Sequence, residues 1–459
     1  MTAKTWNSAG STSWNTAGNW SPTGVPGAGD DVTFDATSVQ SCTCDVAINI
    51  ASLTVTSGYS GTLDFADSAY SHSIGGDFIC DGTGAVDFGN AVTTIAGNFD
   101  IQDQSTITKG TGEIVLNGTS KTISSKNGGQ LYKLTIDGTI STAADYRYSK
   151  VDYLVINSTK SLELNGTATA VWINTELTLN GTLICSLGAS AYIYFVTAII
   201  TGSGSITTTN GNGYLQINGD FTHPAITLPI DIKFISDGAT YTIGGNTTYN
   251  GNIYTSEAAE TVTFDNSGNY NLIINRDVIS AGTLVWTKGT GNITASGTAN
   301  QSWDFAGVST EEIIVNKSAG TLTLSGNVDP DYCSVYGGVL DIDGNDMTMA
   351  GLMYVDGDQT VQDTTGGGLI TCGSLNINGT AGHPCVWNGP DLDVTGATAN
   401  ADFCTVTNSN ASAGTAITAT DCTDNGGNTN WNFGAAPTQY QYGRPIYFTE
   451  EMMGALLQL

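Results

Sequence analysis

Six carboxylates could do acid–base work on a sugar: Glu163, Glu176, Glu311, Glu312, Asp329 and Asp331. Glycoside cleavage needs two carboxyl groups, about 5 Å apart for retention and about 6.5–9.5 Å apart for inversion. None of the six lies in a distinctive motif. Adjacent Glu311 and Glu312 must point to opposite sides of any strand that carries them. Uncommitted acids of this kind read as solvent-facing, so no catalytic residue is assigned. Asp341-Ile-Asp343-Gly-Asn345-Asp346 places oxygens at alternate positions as a calcium loop does, but Asp346 stands where the loop needs Gly and Leu352 where it needs Glu. It reads as a turn. His72, His223 and His383 are isolated, with no partner pattern for a triad. The nine cysteines are spread over Cys42–Cys422 without a CxxC pair, and they read as buried thiols, Cys42 and Cys44 facing the same side of a strand. No metal and no cofactor is expected.

Aromatic residues offer a second kind of chemistry. Tyr146, Arg147 and Tyr148, followed by Lys150, Asp152 and Tyr153, concentrate rings and charges in a chain with only 12% charged residues. Tyr and Arg together suit sugar stacking or a protein contact, and a loop projecting from one turn is the plainer alternative. Trp172, Tyr192 and Tyr194 alternate with apolar neighbours and read as packing in the core or between subunits. Trp6, Trp14 and Trp20 fall in a Gly/Ser/Asn-rich opening and read as an N-terminal cap, with an aromatic sugar patch as the rival.

The elements that must position these residues announce themselves by repetition. An aliphatic–any–aliphatic–Asn/Asp–small phrase recurs at Ile114–Thr119, Leu134–Thr139, Leu154–Thr159, Leu162–Thr167, Leu177–Thr182, Leu215–Asp220, Leu272–Asp277, Leu340–Asn345 and Leu375–Thr380. Alternation describes a strand with one buried side, and Asn-Gly or Asp-Gly a turn that ends it. One such strand cannot bury its apolar side alone, so a succession of them implies stacking into a solenoid. Ser73–Phe78 and Thr94–Phe99 form a close repeat with Ile74 and Ile95 equivalent. TKGTG opens both Thr108–Thr139 and Thr287–Ser318, a constant offset that reads as duplication of multi-turn blocks. The expected fold is all-β, a right-handed parallel β-helix. At roughly 20 residues per turn and about 4.8 Å per turn the body is a rod on the order of 90 Å long.

The expected organisation is an N-terminal cap over 1–35, a β-helix body over 36–433, and a C-terminal linker and docking helix over 434–459. In that tail Thr449 can cap a helix with acidic residues in its first turn. Tyr447, Phe448, Met452, Met453, Leu456 and Leu457 give it an apolar stripe that must bury against something. The formal net charge of −29 repels phosphate backbones and anionic membranes, so no nucleic acid and no membrane insertion is expected. The longest apolar run, Tyr192–Ile200, is too short to span a bilayer. Met1–Trp6 lacks the apolar core of a signal peptide, which points to synthesis in a cytoplasm.

Gly18–Val32 resembles the first turns of bacterial autotransporter-like and cell-surface β-solenoids. The TKGTG…NGT…Leu-Thr-Ile block resembles repeats of right-handed parallel β-helices in phage and bacterial surface proteins. Asp421–Phe433 looks like the closing segment of such helices. The likeness spans roughly 18–433, describes architecture and carries no catalytic residue across. It implies a non-enzymatic structural protein of a phage virion surface (fibre, spike or capsid decoration), a homotrimer anchored to other virion proteins through its C-terminal tail, with host polysaccharide as a candidate contact. A tailspike polysaccharide depolymerase and a bacterial surface adhesin are the alternatives.

Overall fold

The computed structural model describes residues 2–434 apart from 66–68, 82–84, 103–105, 126–128, 144–148, 167–169, 189–190 and 256–259. In most turns the chain lays down strands on three faces, and most strands pair in parallel with the one a turn later. The first face opens with Ala3–Trp6, Asp31–Phe34, Ser52–Val55 and Phe78–Cys80 and ends with Ile417–Thr420 and Trp431–Phe433. The second begins at Cys42–Thr43 and Thr62–Asp64, the third at Asn49–Ile50 and Ser71–Ile74. Side-chain partners across the ladder are typically 19 to 25 residues apart in sequence. From Gln130–Ile136 to Tyr214–His223 one bent strand serves both the second and third faces. In Glu312–Leu324 and Cys333–Asp341 the first and second faces are the ones joined.

Alternation decides what lies inside. Ser52–Val55 buries Leu53 and Val55 and leaves Ser52 and Thr54 half-buried on the outer side, and such alternation recurs on nearly every strand. Because the pairing is in register, like stacks on like. Leu53 lies beneath Phe78, Phe78 beneath Phe99, and Phe99 beneath Ile123. The Phe78 and Phe99 ring centroids are 5.3 Å apart. The close repeat is borne out, with Ile95 directly on Ile74. The longer repeat needs a correction. Ile114 pairs with Leu134 and Ile293 with Ile313, so each copy does climb one turn. The first copy, however, lies on the third face and the second on the first face. The offset is therefore not a whole number of turns, and the phrase is a strand-and-corner module that fits more than one corner.

Corners leave backbone amides outside the ladders, and short polar side chains of the preceding turn take them up. Asn246 Oδ1 accepts the Asn271 N–H at 2.9 Å, and Asn271 Oδ1 accepts the Asn292 N–H at 3.2 Å. Where backbones touch, only glycine fits: Gly110 has φ +54°, and a Cβ there would lie 1.9 Å from the Gly89 carbonyl oxygen. The eight cysteines Cys42 to Cys404 are buried, and all nine are free. Cys42 and Cys44 both face inward, as their spacing requires. Burial pushes the Cys185 and Cys372 thiols up to about 12. Asp341 is an acceptor for the Asp343 and Thr364 amides and the Gln362 side chain, which is turn chemistry.

At the N-terminal end Trp6, Trp14 and Trp20 are buried. Trp20 lies 5.0 Å from Trp6 and 4.6 Å from Trp14, and Phe34 adjoins all three. Trp20 Nε1 donates to the Trp14 carbonyl at 2.8 Å and Trp6 Nε1 to that of Gln40 at 2.9 Å. Trp20–Ser21 runs antiparallel along Ala3–Trp6 and covers the free edge of the first face. Indoles this deep are not a sugar patch on the surface.

The ladders are interrupted at several joints, and one of them overlies a buried histidine. The first-face ladder stops at Ser205–Thr208 and restarts at Ile226–Leu228, with no pairing between the two strands. Beside it, a cleft of about 340 Å³ is lined by Ser205, Ile206, Ala225, Ile226 and Thr227. Beneath the joint His223 is buried, its Nδ1 2.6 Å from the Pro224 carbonyl and its Nε2 2.5 Å from Tyr241 Oη, which lies 3.0 Å from Tyr249 Oη. A carbonyl only accepts, so Nδ1 carries the proton, Nε2 accepts from Tyr241, and Tyr241 accepts from Tyr249. Burial holds His223 down at about 4, against an ordinary histidine value near 6.5.

Two expectations follow from this joint. In hydrogen exchange, peptides over 205–208 and 225–228 take up deuterium ahead of those over 183–185 and 247–249; equal protection would show that the ladder is continuous. The unfolded chain takes a proton on this histidine near pH 6.5 and the folded chain only near pH 4, so stability falls as pH drops between those values, by roughly 3 kcal/mol. Measured against pH by urea unfolding, the slope over that window should shrink in His223→Gln; an unchanged slope would assign the proton uptake elsewhere.

Candidate ligand-binding face

On the second face, Val151, Ile173, Phe195, Ile217, Ile232, Ile253 and Val278 point into the core. The residues alternating with them point out, and the ladder aligns them. Lys150 lies opposite Trp172, Trp172 opposite Tyr194, Tyr194 opposite Gln216, Gln216 opposite Lys233, and Lys233 opposite Tyr254. A neighbouring column runs from Tyr192 to Tyr214 to Asp231. All of these side chains are half-buried. Trp172, Tyr192 and Tyr194 are thus not core residues. The alternation that suggested packing is real, but their neighbours are the ones that face inward.

Successive turns set these rings against each other. Trp172 and Tyr194 stack with centroids 4.5 Å apart and planes 21° from parallel. Tyr192 and Tyr214 stack at 5.4 Å and 19°. Lys150 Nζ lies 4.6 Å over Trp172, and Lys233 Nζ sits between Tyr214 and Tyr254 at 4.3 and 4.9 Å. The ring faces are largely taken up within the stripe, so it offers outward ring edges, phenol hydroxyls and ammonium groups in a fixed array. Asn218 Nδ2 donates to Tyr194 Oη at 2.6 Å and fixes that hydroxyl.

Next to the stripe, at the corner where the chain enters the second face, lies a polar cleft of about 450 Å³. Asp231, Asn250, Asn252, Arg276, Asp277 and Asn300 are among its lining residues. Arg276 is exposed and is the one arginine among the described residues. Asp231 Oδ1 accepts the Asn252 N–H at 2.7 Å, Asn252 Oδ1 that of Asp277 at 3.2 Å, and Asp277 Oδ1 that of Ser302 at 2.8 Å. Asn252 Nδ2 also donates to Asp231 Oδ2 at 3.4 Å, so the column is cross-linked along its length. Such a cleft can hydrogen-bond a hydroxyl-rich ligand while the ring edges, hydroxyls and ammonium groups of the adjoining stripe flank it.

Of the earlier candidates, Tyr153 is half-buried beside Tyr132, ring centroids 5.2 Å apart, at the edge of this surface. Asp152 is committed to Lys109 at 2.6 Å and Asn174 at 3.0 Å. Tyr146, Arg147 and Tyr148 lie outside the described residues, as do Tyr447, Phe448, Met452, Met453, Leu456, Leu457 and the rest of the expected docking helix. Five of the six carboxylates weighed as catalysts are tied to neighbours. Glu311 is buried and accepts from Asn266 Nδ2, Trp286 Nε1 and the Gly289 N–H at 2.7–2.8 Å. Glu176 accepts from Thr178 and Thr201, Glu163 from Ser186, Glu312 from Ser334, and Asp331 pairs with Lys288. Glu311 faces inward and Glu312 outward, as adjacent strand residues must. Among the described residues no group of three or more His, Cys, Asp and Glu side chains could hold a metal ion.

Tyr214, Lys233, Tyr254 and Asp231 carried only the strand alternation of YLQIN, DIKF and NIY, and Arg276 and Asp277 stood at the turn end of the recurring phrase Leu272–Asp277. Only the register between turns shows that they share a surface. No protein family, curated protein or solved structure matches the chain.

A double-mutant cycle on Tyr214→Leu and Lys233→Met should return a coupling energy of about 0.5–1 kcal/mol in urea unfolding, the usual worth of a partly exposed cation–π contact. Strict additivity would show that Lys233 does not rest on the ring.

Proposed function

We propose that this protein is a non-enzymatic structural component of a phage virion surface, a fibre, spike or capsid decoration. It works as a stiff rod that contacts host polysaccharide through its second face. The observation that carries the glycan contact is the meeting of a half-exposed aromatic–lysine stripe with a polar cleft on one rigid sheet. Amphipathic rings beside fixed amides and carboxylates suit pyranose rings, which present an apolar face and a hydroxyl rim. The virion setting is supported by the likeness of the repeat blocks to phage β-helices. In this reading the C-terminal segment with Tyr447, Phe448, Met452, Met453, Leu456 and Leu457 anchors the rod to other virion proteins, and three chains associate.

A second reading, a polysaccharide depolymerase, is favoured by one feature of the cleft. Asp231 and Asp277 stand two turns apart in a single column, about 10 Å at the usual turn spacing, close to the separation of an inverting pair.

The test uses the full chain with host-surface polysaccharides. Trp172→Ala with Tyr194→Ala should weaken retention on polysaccharide at least tenfold while the far-ultraviolet dichroism and the mass in solution stay unchanged. Undiminished retention would remove the glycan contact, and dissociation of an oligomer would reassign the stripe to subunit packing. Reducing ends or unsaturated sugars released by the parent chain and lost in Asp231→Asn or Asp277→Asn would establish the enzyme instead.

A further inference from the structure

Three thiols stack on consecutive turns near the C-terminal end. Cys385 lies directly opposite Cys404, and Thr405 directly opposite Thr423. One residue back along the same register, Cys404 lies opposite Cys422. Strands paired this way hold their Cα atoms about 4.8 Å apart, inside the 4.4–6.8 Å range that a disulfide spans. The Cys404 N–H donates to Cys422 Sγ at 3.2 Å, so the Cys422 sulfur rests against the Cys404 backbone. Cys385 and Cys404 are buried, whereas Cys422 is partly exposed, unlike the other eight cysteines.

The position matters because the stacking thins out there. Among the described residues the third face has no strand after Asp391–Val394, and an isolated bridge between Asn410 and Thr429 follows on that side. The last two turns are held by the first and second faces, through Ile417–Thr420 on Trp431–Phe433 and Cys404–Thr407 on Thr423–Asp424. In a solenoid each turn is stabilised only by its neighbours, so the final turns open first.

We propose that Cys422 and Cys404 form an oxidant-driven disulfide that locks the last two turns together, with a small oxidised disulfide of the glutathione class as co-reactant. Cys422 is the entry point, being the thiol that solvent reaches. Its thiolate attacks one sulfur of the small disulfide, forming a mixed disulfide and expelling one small thiolate, which takes a proton from water. Cys404 then gives up its proton and attacks Cys422 Sγ, forming the intramolecular bond and expelling the second small thiolate. Two protein thiols are oxidised and one small disulfide is reduced to two thiols. Burial raises the Cys404 and Cys422 thiols above their ordinary value, which makes both steps slow at neutral pH and faster in mild alkali.

The experiment treats the full chain with oxidised glutathione at pH 8.5 and follows it by intact mass, non-reducing peptide mapping and hydrogen exchange. The expected product has lost two hydrogens, yields one cross-linked peptide joining Cys404 to Cys422, and shows several-fold slower deuterium uptake across 404–433. Cys422→Ser should abolish the cross-link, and Cys385→Ser should leave it intact. A stable glutathione adduct on Cys422, a Cys385–Cys404 link, or a dimer joined through Cys422 would each overturn the proposal. So would the expected link without slower exchange, since the lock would then do nothing. Polysaccharide retention by the second face does not depend on this bond, so its outcome is separate.

Discussion

Each turn of this solenoid satisfies most of its backbone on the turns before and after it. That constraint accounts for the unusual composition. On the faces the parallel ladders absorb the amides and carbonyls; at the corners they do not, and tight turns together with side chains of the same or the neighbouring turn do so. Asn and Asp reach a neighbouring N–H with the shortest acceptor available, as the Asn246–Asn271–Asn292 and Asp231–Asn252–Asp277 columns show. Much of the acidic excess is therefore structural acceptor rather than free surface charge. The few lysines settle partly on rings, as Lys150 and Lys233 do, instead of pairing with it.

The same pairing builds the candidate site without any local motif. In-register stacking sets equivalent side chains about 4.8 Å apart. Any aromatic residue that recurs at an outward position thereby becomes a stack, and any Asx that recurs at a corner becomes a column. Inside, this gives the Phe78–Phe99 stack; outside, it gives Trp172–Tyr194 and Tyr192–Tyr214. The cleft lies where a polar corner column adjoins an aromatic face, so its lining comes from residues many tens of positions apart.

What was legible in the sequence follows from which signals are local. Strand alternation is local, and so the buried set, the parallel solenoid, the inward thiols and the Ile74–Ile95 equivalence could all be read. Turn length is not local. It varies with corner loops such as Asn210–Gly213, and a single inserted residue shifts which columns align. Tyr194, Gln216 and Lys233 form one column despite unequal spacings, and nothing in their flanking residues says so. The same blindness made the TKGTG repeat look like a duplication of whole turns, although its two copies serve different corners. The core half of the reading of Trp172 fails for a related reason: alternation fixes that neighbours face opposite ways, and a bulky apolar residue is the natural guess for the inside.

The two ends of the rod meet the stacking constraint in different ways. At the N-terminus three indoles fill the last apolar layer, and an antiparallel strand covers the free edge of the first face, so burial and edge pairing act together. Toward the C-terminal end of the described residues the third ladder stops first, and Trp431 lies over Trp387 with centroids 6.4 Å apart. With two faces instead of three, a terminal turn has fewer hydrogen bonds to lose on opening and less apolar surface to expose. A covalent link there acts where one of the three ladders has ended, and it needs only a small approach of the two Cβ atoms and a turn of the thiols away from the carbonyls they now face. The register that stacks Phe on Phe elsewhere already places Cys385, Cys404 and Cys422 on consecutive turns.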